Sequence, residues 1–202
     1  MASVSQIPSQ DTIRRIRWIQ ALTIVWMGAE AMLSLLAAWK ARSPALVAFG
    51  GDSAIELISA LIVWRRFGAH DEPEQVESRA ARIAGALLFV LAAYVVVASL
   101  MSLLGRHESD KSYLGIAVLI TAAALMPLLA KEKRRLSTLV GSAALRADAA
   151  ESALCGYLSL IALVGLSVNA LWHVPWADPV AAICLVPFIL REGWEAVRGE
   201  SG

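Results

Sequence analysis

Residues 83–104 read IAGALLFVLAAYVVVASLMSLL, an apolar run without one charged side chain. A helix rises about 1.5 Å per residue, and about 20 apolar residues cover the hydrocarbon core of a bilayer. The run meets that requirement, and it has no polar face to turn toward water. The rest of the chain agrees. Of its 202 residues 58% are hydrophobic and 17% charged, with a mean hydropathy of +0.62. Soluble domains sit nearer 45–50% apolar and about 25% charged. Lys plus Arg number 18 and Asp plus Glu 17, a net charge of +1. That balance excludes a nucleic-acid module built on a basic patch, and the apolar content excludes a disordered chain. Cys155 and Cys184 lie in apolar runs and cannot make a disulfide scaffold. The fold class expected is all-α, a polytopic membrane protein.

Working outward from 83–104, five further spans emerge. One lies between Arg17 and Lys40, with Glu30 as its only charge. The second covers 44–64 and holds Asp52 and Glu56. The fourth, 113–130, is uncharged. The fifth begins near Thr138 or Gly141 and runs to about 172, with Arg146, Asp148 and Glu151 in its first half. The sixth, 175–190, opens on Asp178-Pro179 and contains Pro187. The organisation expected is a polar, disordered tail at 1–12, a six-helix transmembrane domain over 13–198, and a short tail at 199–202. The first run follows Arg14, Arg15 and Arg17 and resembles a signal peptide in that respect. Its length and the immediate second span favour a retained helix. Six spans put Lys40, Arg42, Arg106 and Lys111 on one set of ends and all other Lys and Arg on the opposite set. By the positive-inside rule both termini are then cytoplasmic, and the protein is expected in the plasma or inner membrane.

The acids within these spans are the chemical signal. Each ionised carboxylate at the bilayer centre costs about 2.5–3.5 kcal/mol on insertion scales, so Asp52, Glu56 and Glu151 together cost on the order of 8–10 kcal/mol. No deep Lys or Arg is expected beside them; Arg146 reaches Asp148 at most. Protons, a bound cation or water remain. Asp52 and Glu56 are four residues apart and share a helical face. Asp148, Glu151 and Cys155 are spaced by three and four and share another. The expected metal site is Asp52, Glu56, Glu151 and Cys155, four donors that suffice for a tetrahedral divalent cation. The Cys sulfur favours Zn²⁺ or a softer ion such as Cd²⁺, and the carboxylates admit Mn²⁺ or Fe²⁺. Other acids have plainer readings. Glu30 is either part of the site or a protonated, hydrogen-bonded acid. Asp178 reads as a helix N-cap before Pro179, and Cys184 as a small apolar packing residue. Gly50, Gly51, Ser53, Ala54 and Ser59 let helices approach closely.

The run from Ser43 to Glu56, SPALVAFGGDSAIE, resembles the second-helix signature of the cation diffusion facilitator family. There a His or Asp is followed by an Asp four residues later, where Asp52 and Glu56 stand. Leu145 to Cys155, LRADAAESALC, resembles the fifth-helix signature, with Glu151 and Cys155 at its metal positions. Glu30 falls where many members carry an acid in the first helix. Residues 176–197 resemble the sixth helix and its exit. Glu56, Glu151 and Cys155 vary the usual residue, and the family's cytoplasmic C-terminal domain is not expected here. His70, Asp71, Glu72 and Glu74 sit where relatives carry a His-rich loop, and read here as a solvated loop.

The resemblance implies a secondary transporter that exports a divalent cation, with zinc first among the ions, and a homodimer through membrane helices. Protons are the expected counter-ion, because carboxylates and thiols must lose them to bind metal. No G-x-x-x-x-G-K-[ST] motif is present to power a pump. No enzyme is expected. Two alternatives are a metal-binding membrane partner that does not transport, and an intramembrane aspartyl hydrolase built on Gly50-Gly51-Asp52 with Asp148 as second acid.

Overall fold

The structure, a computed structural model, describes residues 10–68, 74–106, 108–141 and 143–198, and side chains among these outside 59–81, 143–144 and 147. These residues form six α-helices and no strand: α1 Gln10–Ala41, α2 Pro44–Gly68, α3 Glu74–Leu103, α4 Tyr113–Val140, α5 Ala143–Trp172 and α6 Ala177–Arg198. The expected tail at 10–12 is already helical. Residues 1–9 and 199–202, His70 with Asp71 and Glu72 of the expected solvated loop, and His107 lie outside the described residues.

Consecutive helices run antiparallel. One end of the bundle, here the loop end, gathers the α1–α2, α3–α4 and α5–α6 connections, and the other, the terminal end, holds the start of α1 and the finish of α6. The most extensive packing joins α4 to α5, α3 to α6 and α1 to α2. α2 also meets α3, α5 and α6. Close approach depends on small residues. A Cβ on Gly50 would stand 2.8 Å from the Ser34 Cβ of α1, and one on Gly85 would stand 2.7 Å from the carbonyl oxygen of Gly193 in α6. The core is apolar, with Leu46, Phe49, Val95, Leu119, Met126, Leu158, Leu185 and Ile189 all buried.

The outer surface is apolar too. Val25, Val90, Leu128, Val164 and Leu171 are each more than 60% exposed. In water such faces would associate; in lipid they are solvated. Trp39, Tyr113, Trp172 and Trp176 stand exposed near the loop end, and Trp18 and Trp194 near the terminal end, the two levels where interfacial aromatics belong. Among the described residues four helices are long and apolar enough to cross a bilayer: α1, the Arg82–Leu103 part of α3, α4, and the Asp148–Trp172 part of α5. α6 carries Asp178, Arg191, Glu192 and Glu195, and α2 carries Asp52 and Glu56 with side chains described only through Ile58.

Two helix boundaries differ from the sequence expectation. α4 does not stop at 130 but continues to Val140. Lys131, Glu132, Lys133, Arg134 and Arg135 are all good helix formers, and the stop comes at Gly141. Its φ of 65° and an N–H bonded to the Ser137 carbonyl make a left-handed C-cap. α5 therefore starts at Ala143, not at Thr138 or Gly141. α6 likewise passes the expected end at 190 and reaches Arg198.

Candidate metal centre

Asp52 and Glu56 lie one turn apart on α2, as their spacing requires. α6 crosses that face and adds Glu192. One ligand oxygen from each of the three carboxylates lies within 4.8 Å of the others. Asp52 is buried at 3% exposure, and Glu56 and Glu192 are partly buried. Asp52 Oδ1 and Glu192 Oε2 are buried, and among the described residues neither meets a donor outside the acid group; the Asp52 and Glu192 carboxyls lie within hydrogen-bonding reach of each other. The salt bridges described here are Arg15–Glu132, Lys133–Asp148 and Arg191–Glu195, and they leave these three acids out. Two unit charges about 4.8 Å apart repel by about 3.5 kcal/mol at an effective dielectric of about 20. Three ionised carboxylates in this group therefore oppose one another by roughly 10 kcal/mol. Protons or a multivalent cation must relieve that, and the Asp52 and Glu192 oxygens are where either would go. The donors are three hard oxygens from two helices, fewer than the roughly six or more that a hard divalent cation usually takes.

The structure brings together two of the four donors expected from sequence. Glu151 is exposed on α5, close enough to Glu56 and Glu192 to act on both electrostatically. It does not join the close group. Cys155, one turn further along α5, is buried and donates its S–H to Glu30 Oε1 at 3.4 Å. Exposure thus rises from buried Asp52 through partly buried Glu56 and Glu192 to exposed Glu151.

Glu192 escaped sequence reasoning because it falls beyond the apolar run of the sixth span. A signal was present. The buried positions Asp178, Ala182, Leu185 and Ile189 of α6 are spaced by four, three and four, and the next position on that stripe is 192.

The other acids are accounted for. Glu30 is fully buried and accepts three bonds: from Trp26 Nε1 at 2.6 Å on Oε2, and from Ser53 Oγ at 2.8 Å and Cys155 on Oε1. Asp148 is held by Lys133, not by Arg146, which is exposed. Lys133 of α4 has 0% side-chain exposure and donates to Asp148 Oδ1 at 2.8 Å and to Ser152 Oγ at 2.9 Å. Gln20 of α1 donates to Asp148 Oδ2 at 2.8 Å. The expectation of no deep basic residue therefore fails at Lys133, where α4 continues past the apolar run and buries it. Asp148 is thus engaged by two other helices and is not grouped with Asp52, as an aspartyl hydrolase would need.

Asp178 does cap a helix, but not its own. Its carboxylate accepts from Ser43 Oγ at 2.7 Å, from Ser109 Oγ at 2.8 Å and from the backbone N–H of Ala45. It thus stands at the N-terminus of α2, where the helix dipole favours an anion. Asn169 of α5 completes the knot by donating to the Ser109 carbonyl at 2.8 Å. Cys184 does not pack in the core; it is exposed on α6.

The chain is 22% identical over 178 residues to the manganese efflux system protein MneS of Bacillus subtilis, an alignment covering 84% of this chain and 61% of the relative. The chain thus spans about three-fifths of that relative's length. Residues 20–200 match the cation efflux transmembrane domain, so that six helices, an acidic second helix and nearly the whole of the sequence place this chain in the cation efflux family.

Proposed function

We propose that the chain carries a divalent metal cation across the membrane, with Asp52, Glu56 and Glu192 as its binding group and Glu151 as the acid the ion meets first from the terminal end. The single observation that carries this reading is the buried group of three carboxylates itself, in which Asp52 Oδ1 meets no described donor outside the group. An all-oxygen group suits a hard ion such as Mn²⁺ better than a thiophilic one, and a manganese efflux protein among its relatives points the same way. Manganese therefore replaces zinc as the first ion to test. The bias of Lys and Arg toward the terminal end supports cytoplasmic termini and hence loading from the cytoplasm. Export then follows by alternating access of the helices around the fixed acids. Carboxylates must shed protons to take up metal, so inward proton movement is the natural counter-flow. A homodimer through membrane helices remains part of the reading.

The test is flux. Purified protein in proteoliposomes should take up Mn²⁺ when an outward proton gradient from an acidic lumen drives the exchange, and Asp52→Asn should abolish uptake while remaining folded and monodisperse. Undiminished uptake by Asp52→Asn would remove the proposed site. Metal binding without flux in the parent would make the chain a membrane metal-binding protein instead.

A further inference from the structure

Glu30 takes no part in the three-acid group, yet its carboxylate touches the residues around it. Ser53, which directly follows Asp52, donates to Glu30 Oε1 at 2.8 Å. Cys155 donates its S–H to the same oxygen at 3.4 Å. Trp26 holds the other oxygen at 2.6 Å. Glu30 therefore sits at the junction of α1, α2 and α5, with all of its described donors neutral and its side chain fully buried. Cys155 also has Glu56 and Asp52 as electrostatic neighbours. It is a sulfur within electrostatic reach of two of the three acids whose S–H is taken up by Glu30.

We propose that Glu30 sets ion specificity: by taking the Cys155 S–H it keeps that sulfur off the ion, which then meets oxygen ligands. The chemistry follows from what binds metal. The thiolate, not the thiol, is a metal ligand. For Cys155 to ligate, the S–H proton must leave, the bond to Glu30 must break, and a new anion must form against a buried carboxylate. All three steps oppose capture of a soft ion, and none opposes a hard ion bound by Asp52, Glu56 and Glu192. Glu30 is thus a positioning residue that acts through Cys155. The inference rests on the proposed role of the three acids, and it adds a reason why a transporter with a cysteine so near its ion path would still favour a hard ion.

The experiment compares Mn²⁺ and Cd²⁺ in a Cys184→Ala background, because Cys184 is an exposed free thiol. Parent, Cys155→Ser, Glu30→Gln and the Glu30→Gln/Cys155→Ser double variant are reconstituted, and kcat/KM is measured for each ion. The purified proteins are also titrated with Cd²⁺ and followed by the ultraviolet thiolate-to-cadmium charge-transfer band. The parent should show no band, and Cys155→Ser should leave the Cd²⁺/Mn²⁺ ratio unchanged. Removing a group that orients a metal site shifts metal affinity by about 10–100-fold. Glu30→Gln should accordingly move the ratio toward Cd²⁺ by about tenfold or more, with a new band, and the added Cys155→Ser should cancel both. A Cys155-dependent band in the parent overturns the inference. So does an unchanged ratio in an active Glu30→Gln variant. If Glu30→Gln does not fold, Glu30→Asp, one methylene too short to hold the thiol, takes its place with the same expected direction. Absence of uptake of either ion by the parent would sink the transport reading; intact uptake with an unaltered ratio would sink this inference alone.

Discussion

Glu192→Gln tests the centre most sharply, because it should move stability and metal response in opposite directions. In the empty protein Glu192 lies within 4.8 Å of both Asp52 and Glu56. Two repulsive pairs at about 3.5 kcal/mol each amount to about 7 kcal/mol if all three acids stay ionised. Protonation limits that figure. Keeping an ordinary glutamic acid protonated at pH 7 costs about 3.7 kcal/mol, so the variant gains at most about that much when metal is absent. Glu192 is partly exposed, and solvent screening trims the gain further. For a chain of this size each kcal/mol moves Tm by roughly 2–4 °C. The metal-free variant should therefore melt several degrees higher than the parent. The metal effect runs the other way. At 100 times Kd a ligand stabilises the parent by about 2.7 kcal/mol, whereas a variant binding 100-fold more weakly gains about 0.4 kcal/mol at the same concentration. Differential scanning fluorimetry in detergent, with and without Mn²⁺, reads both quantities. A variant that melts lower without metal and keeps the full Mn²⁺ response would refute the reasoning, because Glu192 would then be a structural partner of α2 and not a charge awaiting an ion.

Lys133 and Asp148 should show the behaviour of a buried pair. Lys133→Met should destabilise by about 3–5 kcal/mol, and Lys133→Met combined with Asp148→Asn should recover most of it; chemical denaturation of the four proteins completes the cycle. Asp178→Ala strips the acceptor from two serine hydroxyls and the Ala45 N–H at the loop end. At about 1–3 kcal/mol for each buried donor left bare, a loss of several kcal/mol is expected in the same measurement, and Asp178→Asn should retain part of it. Lowering the pH on the loading side should raise KM for Mn²⁺, since protons and metal compete for the same oxygens. A KM that fell with pH would contradict metal binding by carboxylates.

The helical architecture was legible because lipid imposes one rule on every span. The run at 83–104 could only be a buried or lipid-facing helix, and α3 contains nearly all of it. The ends were less legible. Hydropathy reports where a chain leaves the hydrocarbon, not where its helix stops. α4 crosses that boundary at Ala130 and continues as a helix for ten residues to Val140. It ends only where Gly141 supplies a left-handed residue. α6 does the same past Leu190.

Those two overruns are also where the chemistry hid. Lys133 and Glu192 each lie just outside an apolar run, so a reading by charge count assigns both to the water. Packing against neighbouring helices decides otherwise: α5 covers Lys133 with Asp148 and Ser152, and α2 meets Glu192 with Asp52 and Glu56. The pair on α2 was readable because both acids lie on one helix, where spacing alone determines the shared face. The partner from α6 depends on which helices touch: the spacing along α6 extends its buried stripe to 192 but does not say that α2 is the helix it meets. The same limit applies to Cys155. Its register pointed correctly into the bundle, but whether its proton faces a metal or Glu30 depends on how α1 lies against α5, a relation between helices that no single periodicity contains.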